Sequence, residues 1–158
     1  MGYPVVQTLD GQRAVAETTL EKRYPTEFEP PSAPQNSGGQ PLPAESPTPA
    51  VPLPNAFETR NVGVTLEVEP HVLQNGKWIR LELAPMHVSL IGFDSYDVVK
   101  MINGNKLKID QPLFFTTKTN ATVTLRNGQR NLLAVHKLVQ PDDQLELFIV
   151  QAWAESIK

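Results

Sequence analysis

The sequence predicts an all-β domain of antiparallel hairpins, forming a small β-sandwich or a related sheet and interrupted by a proline-rich insertion. Three observations support this: short runs in which apolar and polar residues alternate, Gly-containing dipeptides between those runs, and almost no helical periodicity. The dipeptides are Asp10-Gly11, Asn75-Gly76, Asn103-Gly104 and Asn127-Gly128. Asn, Asp and Gly accept the positive φ of two-residue hairpin turns, so each dipeptide predicts a chain reversal.

The best defined element is a hairpin over residues 57–83. Residues 62–68 alternate between apolar and small or polar side chains, and residues 79–83 repeat the pattern beyond the Asn75-Gly76 turn. A two-residue turn there predicts the facing pairs Gln74 with Lys77, Val72 with Ile79, Val68 with Leu83, and Leu66 with Pro85. The last three pairs fall on the apolar face, so the turn and the hydrophobic pattern specify the same register.

Two features of this hairpin oppose a central place in a sheet. Pro70 cannot donate a hydrogen bond to a neighbouring strand. The register also sets Glu69 opposite Glu82, and a like-charge pair of this kind is mildly destabilising. We therefore expect the hairpin to lie at or near a sheet edge, with its polar face in water.

The N-terminal residues predict a first hairpin that belongs to the main domain. Residues 5–9 and 13–16 flank Asp10-Gly11, while residues 18–23 fit either a helical turn or an extended continuation. From residue 24 to residue 54 the composition changes, because ten of the chain's 15 prolines fall there. Such a segment is polyproline-like or disordered. It acts as a docking strap or spacer, or is a tolerated loop insertion, and the predicted divisions are residues 1–24, 25–56 and 57–158.

The C-terminal half predicts further strands. Residues 86–93 form a strand broken by Gly92, and residues 95–101 fit either a short helix or part of a third hairpin around Asn103-Gly104. A fourth hairpin is predicted around Asn127-Gly128. Residues 145–153 carry apolar side chains on both faces, a pattern typical of a central strand that is covered on both sides.

Composition argues against several classes of function. The net charge of -3, with scattered Lys and Arg, gives no basic face for nucleic acid. The chain has no cysteine, and the histidines His71, His87 and His136 have no metal-type spacing, so neither a metal nor another cofactor is expected. Hydrolase and phosphate-binding motifs are absent from the sequence. We therefore predict a protein that is not an enzyme.

Three stretches of the chain, in the right order, resemble the C-terminal domain of bacterial secretins. They are PVVQTLDGQRA with Tyr24-Pro25 after it, ETRNVGVTLEVEPHV with the following Asn-Gly turn and Ile/Leu-rich strand, and IDQPLFFTTKTNATVTLRNGQRNLLAVHKLV. Secretins are outer-membrane ring proteins of type II and type III secretion and of type IV pilus assembly. The segment 138–144 departs from the family pattern, which leaves two alternatives: a fragment of a longer secretin, or a stand-alone relative without the channel.

The resemblance implies a cell-envelope protein, in the periplasm or outer membrane, that acts through contacts with other secretion or pilus proteins or with its own copies. The first residues carry no signal-peptide pattern, so an exported form would have lost its signal. Contact would use edge-strand pairing or sheet packing. The candidate interaction residues lie on the first strand of the central hairpin, beside its turn and at the fourth turn: Val62, Val64, Leu66, Trp78, Asn127, Gly128 and Gln129.

A second hypothesis belongs to a different class. Trp78 and Tyr96, with nearby loops, would form a platform on a monomeric periplasmic or surface module that binds a glycan or a protein ligand. Packing in the core or at its rim is the ordinary role of such aromatic residues. A change in tryptophan fluorescence with ligand, without self-association, would favour the binding module.

Overall fold

A computed structural model describes residues 3–29, 52–100, 106–138 and 144–155, with the backbone alone at 98–100 and 106–107. The described chain is all-β, as predicted, and contains no helix. Its strands are β1 (Ala14–Glu29), β2 (Leu53–Leu73), β3 (Trp78–Lys100), β4 (Lys106–Lys118), β5 (Ala121–Arg126), β6 (Arg130–Lys137) and β7 (Leu145–Gln151). The Asn103-Gly104 turn and most of the proline-rich segment lie outside the described residues.

The strands form two sheets. The larger has the order β1-β2-β3-β4, and β5 also pairs with β3, while β6 and β7 form a separate two-stranded sheet. The pairs β2–β3, β3–β5 and β6–β7 are antiparallel. The turn at residues 74–77 joins β2 to β3, since antiparallel neighbours need only a short connection.

The register of the central hairpin is confirmed. Val72 faces Ile79, Val68 faces Leu83, and Leu66 faces Pro85. The turn closes through the Lys77 amide, which donates to the Gln74 carbonyl at 3.3 Å. Asn75 and Gly76 have φ of 56° and 86°, the positive values expected of a type I′ turn.

The expectation that this hairpin lies at a sheet edge is wrong, because β2 has β1 as its other neighbour and β3 has β4 and β5. The Asp10-Gly11 turn explains how Pro70 is accommodated. The Gly11 amide donates to the Pro70 carbonyl at 2.7 Å, and Asp10 Oδ1 accepts the Val72 amide at 2.7 Å. The Asp10-Gly11 turn therefore lies beside β2 at Pro70. It bonds to the Pro70 carbonyl and the Val72 amide, so the missing amide hydrogen of Pro70 is not required.

Several local expectations need correction. Residues 3–9 form no strand, so the N-terminal turn is present without a full hairpin. Residues 18–23 are extended, and β3 runs through Gly92 without a break and stays extended over residues 95–100. The Asn127-Gly128 turn does not form a hairpin, since β5 belongs to the large sheet and β6 to the small one. Only Gly128 has positive φ there, so the turn lacks the paired positive values of type I′.

The chain divides into two compact units, and the first contains residues 1–20, 61–90 and 114–158. Its core is the predicted apolar face of the hairpin and β5: Val68, Ile79, Leu81, Leu83 and Leu125. Leu133 of β6 and Val150 of β7 pack against this cluster. The first unit is therefore a small two-layer sandwich, with the β6–β7 sheet covering the core.

The second unit contains residues 21–60 and 91–113. Neighbouring strands are joined by side chains: the Tyr24 hydroxyl donates to Glu58 at 3.1 Å, and Ser95 donates to Asp110 at 2.5 Å. Gln111 on β4 also donates to the Pro25 carbonyl on β1 at 3.0 Å. Since β1 and β4 are the two ends of the strand order, this bond shows that the sheet curls within the unit.

Candidate functional site

The predicted interaction residues of β2 lie on the inner face of the first unit. Val62, Val64 and Leu66 are half-buried and share the face of Val68, which belongs to the core. Val64 lies opposite His87 on β3, whose ring is bonded to the β6–β7 sheet. The strand β2 has a neighbour on each side, so these three residues do not lie on a free sheet edge. Their half-buried side chains pack within the first unit.

Trp78 lies on the opposite, polar face of the large sheet. It pairs with Arg126 of β5, whose guanidinium carbon is 5.4 Å from the centroid of the indole ring. Stacking of this kind is favourable by cation–π attraction. Tyr96 is exposed, but it belongs to the second unit.

Asn127 joins three segments of the first unit. Its side-chain amide donates to the carbonyls of Gly76 and Ala154, each at 3.0 Å, and its Oδ1 accepts the Ala154 amide at 3.1 Å. The Asn127 backbone amide also donates to Lys77 at 3.1 Å. One residue thereby ties the β2–β3 turn, the β5–β6 turn and the C-terminal segment together.

The neighbours of Asn127 support the same junction. The Gly128 amide donates to the Ala152 carbonyl at 2.8 Å, and a Cβ at this position would lie 3.4 Å from Trp153 Nε1. Gln129 closes the turn through its amide, which donates to Arg126 at 3.0 Å. Asn127, Gly128 and Gln129, which the sequence predicts as interaction residues, lie together in the turn between β5 and β6. Their hydrogen bonds hold the chain where it passes from the large sheet to the small one.

Charged residues line a shallow cleft of about 310 Å³ on the polar face of β2 and β3. Arg13 contacts Glu67 at 3.0 Å and Glu69 at 3.4 Å, and Arg80 contacts Glu82 at 2.7 Å. Each carboxylate in the cleft thus has a basic partner from the same chain. These pairs hold β1 beside β2 and offset the repulsion between Glu69 and Glu82.

A polar network connects the two layers of the first unit. Glu146 of β7 accepts hydrogen bonds from His87 Nδ1 on β3 and from the Thr117 hydroxyl on β4. Thr117 is only 5% exposed, whereas the Glu146 side chain keeps 17% exposure, so the network is partly buried. These bonds hold β7 against the large sheet, because breaking them would leave a partly buried carboxylate with fewer partners.

The outer face of the small sheet carries five exposed aliphatic side chains, which we call the aliphatic face: Leu132, Val135, Leu145, Leu147 and Ile149. A register irregularity between Leu132 and Ala134 adds one residue to β6, which places both Leu132 and Val135 on the outer side. Leu132 then faces Ile149, and Val135 faces Leu147. The expectation that residues 145–153 form a central strand is wrong, since among the described residues β7 pairs with β6 alone, and its outer side chains are exposed.

The Tyr24 phenol on β1 bonds to Glu58 on β2, and its pKa is raised above the ordinary tyrosine value. Partial burial raises the pKa of its phenol, and Glu58 raises it further as hydrogen-bond acceptor and as a nearby negative charge, while Arg60 opposes the change. The neutral phenol is therefore favoured in the folded second unit.

Comparison with known proteins finds no matching family model, no matching curated protein and no matching solved structure. The part of the chain that the structure describes contains no helix long and apolar enough to cross a membrane. Within the same residues, no group of three or more His, Asp or Glu side chains is placed to hold a metal ion.

Proposed function

We propose that this chain is a secretin-like β-domain of the cell envelope that acts by protein–protein contact, without catalysis, in a secretion or type IV pilus system. The observation that carries the proposal is the central hairpin. The segment that most resembles secretins folds in the register that its own turn and alternation predict, as one long antiparallel pair. The proposal places it in the periplasm or at the outer membrane.

The length of the strands supports a role in contact. β2 has 21 residues and β3 has 23, whereas strands in globular proteins are usually about 5–6 residues long. Long strands present more side-chain surface than a small chain can cover. The second unit accordingly exposes several large apolar side chains: Leu53, Phe57, Phe93, Tyr96 and Leu113.

The proposed mechanism is packing of sheet faces, or pairing of strand edges, with other secretion or pilus proteins or with further copies of the chain. Neither process requires a reacting group. Both exploit what a sheet offers at its surface, which is a row of backbone donors and acceptors and an alternating set of side chains.

Deletion of the gene in its own host tests the proposal. We expect less extracellular protein or fewer surface pili, restored when the full chain is supplied again, and the chain itself should be recovered with the cell envelope. A matched complementation with Gly63→Ala, which disturbs the β1–β2 contact, should restore less than Gly92→Ala. Unchanged secretion and piliation, with the chain recovered outside the envelope fraction, would contradict the proposal.

A further inference from the structure

We propose that one corner of the first unit binds an acidic segment of a partner protein. The inference rests on the proposed function, which is contact with other proteins, and deepens it by naming the surface and the chemistry of the partner. The surface, which we call the basic corner, consists of three cations and two tryptophans: Lys77, Trp78, Arg126, Arg130 and Trp153.

The turn between β5 and β6 brings the three cations together. Arg126 ends β5 and Arg130 begins β6, so the two arginines flank the turn. The Asn127 backbone amide donates to the Lys77 carbonyl at 3.1 Å, which places Lys77 beside the same turn. Lys and Arg are scattered along the sequence, whereas the fold gathers these three at one end of the first unit.

Both tryptophans of the chain lie at this corner. Trp78 pairs with Arg126, whose guanidinium carbon is 5.4 Å from the centroid of the indole ring. The residues on either side of Trp153 are bonded to Asn127 and Gly128, so the C-terminal segment holds Trp153 beside the turn. Trp153 is 66% exposed, and most of its ring is therefore open to a partner.

The cations of the basic corner differ from the other arginines of the first unit in what they contact. Arg13 and Arg80 each lie against a carboxylate of the same chain, at 3.0 Å and 2.7 Å. Among the described residues, no carboxylate lies within ion-pair distance of Lys77, Arg126 or Arg130. Their charges are therefore available to a carboxylate from another molecule.

The groups of the basic corner suit carboxylates. Stacking on Trp78 orients the Arg126 guanidinium, whose planar fork of N–H groups matches a carboxylate through two parallel hydrogen bonds. Glu155 follows Trp153 by two residues, and the three cations outweigh its single negative charge. Trp and Arg are also the residue types that most often dominate the binding energy of protein contacts.

A short acidic segment of a protein fits this surface better than a larger polyanion does. Nucleic acids and anionic lipid surfaces are held by more cations than the corner carries. An acidic segment presents a few carboxylates among apolar side chains, which match three cations beside two indole rings. The three side-chain hydrogen bonds of Asn127 hold the corner in place, so little freedom is lost when a partner binds.

The first test follows the tryptophan fluorescence of the full chain during titration with two synthetic peptides. One contains four glutamates and two leucines, and the other has glutamine in place of each glutamate. Because both tryptophans lie at the basic corner, a bound peptide should change their emission. We expect a saturable change with the acidic peptide, weakened by high salt, and no change with its neutral counterpart.

The second test locates the binding with variants that each lose one positive charge. Arg126→Gln should weaken the affinity for the acidic peptide at least about fivefold. Lys77→Gln should weaken it as well, and this exposed residue should be replaceable without loss of the fold even if Arg126→Gln unfolds. Lys118→Gln, at an exposed position of β4, is the control and should change the affinity by less than about twofold. Circular dichroism checks that each variant is folded.

Each outcome decides the inference separately from the proposed function. No binding of the acidic peptide, or equal affinities in Arg126→Gln, Lys77→Gln and Lys118→Gln, would overturn the basic corner, while gene deletion would still judge the secretion role. Binding to phosphatidylglycerol vesicles without binding to the peptide would also overturn it, since the partner would then be lipid. Peptide binding that Arg126→Gln and Lys77→Gln weaken, in a chain whose deletion leaves secretion and piliation unchanged, would support the corner and reject the proposed function.

Discussion

Glu69 on β2 lies directly opposite Glu82 on β3, and each carboxylate has an arginine beside it: Arg13 contacts Glu69, and Arg80 contacts Glu82. The alternation of the hairpin forces this like-charge pair, because shifting the register by one residue would turn the apolar face outward. Each arginine offsets part of the repulsion, and both pairs remain partly exposed to water. Arg13 reaches Glu69 across 56 positions of the sequence, so it also attaches the start of β1 to the hairpin.

Replacing Arg13 by glutamine should destabilise the chain by about 0.5–1 kcal/mol, because Glu67 and Glu69 lose their common basic partner at a largely exposed site. Urea denaturation measures the change, which should shrink in high salt. Arg130→Gln is the matched control, since Arg130 bonds to the neutral amide of Gln151. Equal losses in both variants, or no dependence on salt, would contradict the electrostatic explanation.

Replacing Asn127 by alanine should cost about 1–3 kcal/mol, because three side-chain hydrogen bonds to Gly76 and Ala154 disappear together. The C-terminal segment should loosen as well, which a change in Trp153 fluorescence would report. Asn120→Ala, at another exposed asparagine of the same unit, serves as the control and should change stability by less than about 0.5 kcal/mol. Similar effects of the two substitutions would mean that Asn127 is not the tie between the three segments.

The register of the central hairpin could be predicted because its causes are local. The Asn75-Gly76 turn and the alternation on either side of it are contained within one short stretch, and both specify the same pairs. The same reasoning predicts a hairpin at the identical dipeptide Asn127-Gly128, and that prediction is wrong. There the second residue alone takes positive φ, and long-range bonds to the C-terminal segment turn the chain from one sheet into the other.

Contacts between residues far apart in the sequence determine where the central hairpin lies in the sheet and how exposed β7 is. A local sequence pattern does not predict such contacts. Pro70 predicts a sheet edge until the Asp10-Gly11 turn is seen to lie beside it. β7 has the composition of a strand buried on both faces, but only its inner face is fixed, by Glu146 bonded to His87 at a separation of 59 residues. The alternation of β2 predicts a candidate surface there, and it gives no sign of the exposed aliphatic side chains that β6 and β7 carry in the first unit.

Replacing Thr117 by valine should destabilise the chain by about 1–3 kcal/mol, since it leaves the partly buried Glu146 carboxylate short of one hydrogen-bond donor. Thr124→Val, at an exposed position of β5, should be nearly neutral. A double-mutant cycle with Glu146→Ala isolates the interaction. Additive effects of the two substitutions would show that Thr117 and Glu146 are not energetically coupled.

The raised pKa of Tyr24 predicts how the second unit responds to alkaline pH. Because the folded state favours the neutral phenol, its contribution to stability is complete below the ordinary tyrosine pKa and is lost as pH rises through the higher folded value. The difference in tyrosinate absorbance between the unaltered chain and Tyr24→Phe follows this titration. Glu58→Gln should lower the pKa of Tyr24, and an unchanged titration curve in that variant would contradict the assigned cause.

Gly63 on β2 lies against the backbone of β1, and its substitution tests how the two strands are held together. A Cβ at this position would lie 2.2 Å from the Thr18 carbonyl oxygen and 2.9 Å from the Thr19 Cα, and the residue has φ of 140°. Gly63→Ala should therefore separate β1 from β2 and cost about 2–4 kcal/mol, because both the backbone conformation and the backbone contact must change.

Gly92 on β3 provides the matched comparison for Gly63. A Cβ there meets no atom within 4 Å, so Gly92→Ala should be neutral or slightly stabilising, since alanine restricts the unfolded chain. Thermal denaturation of both variants, with hydrogen exchange at the β1 amides, measures the difference. If Gly63→Ala unfolds at the same temperature as Gly92→Ala with unchanged protection in β1, the close approach of the two strands does not limit stability.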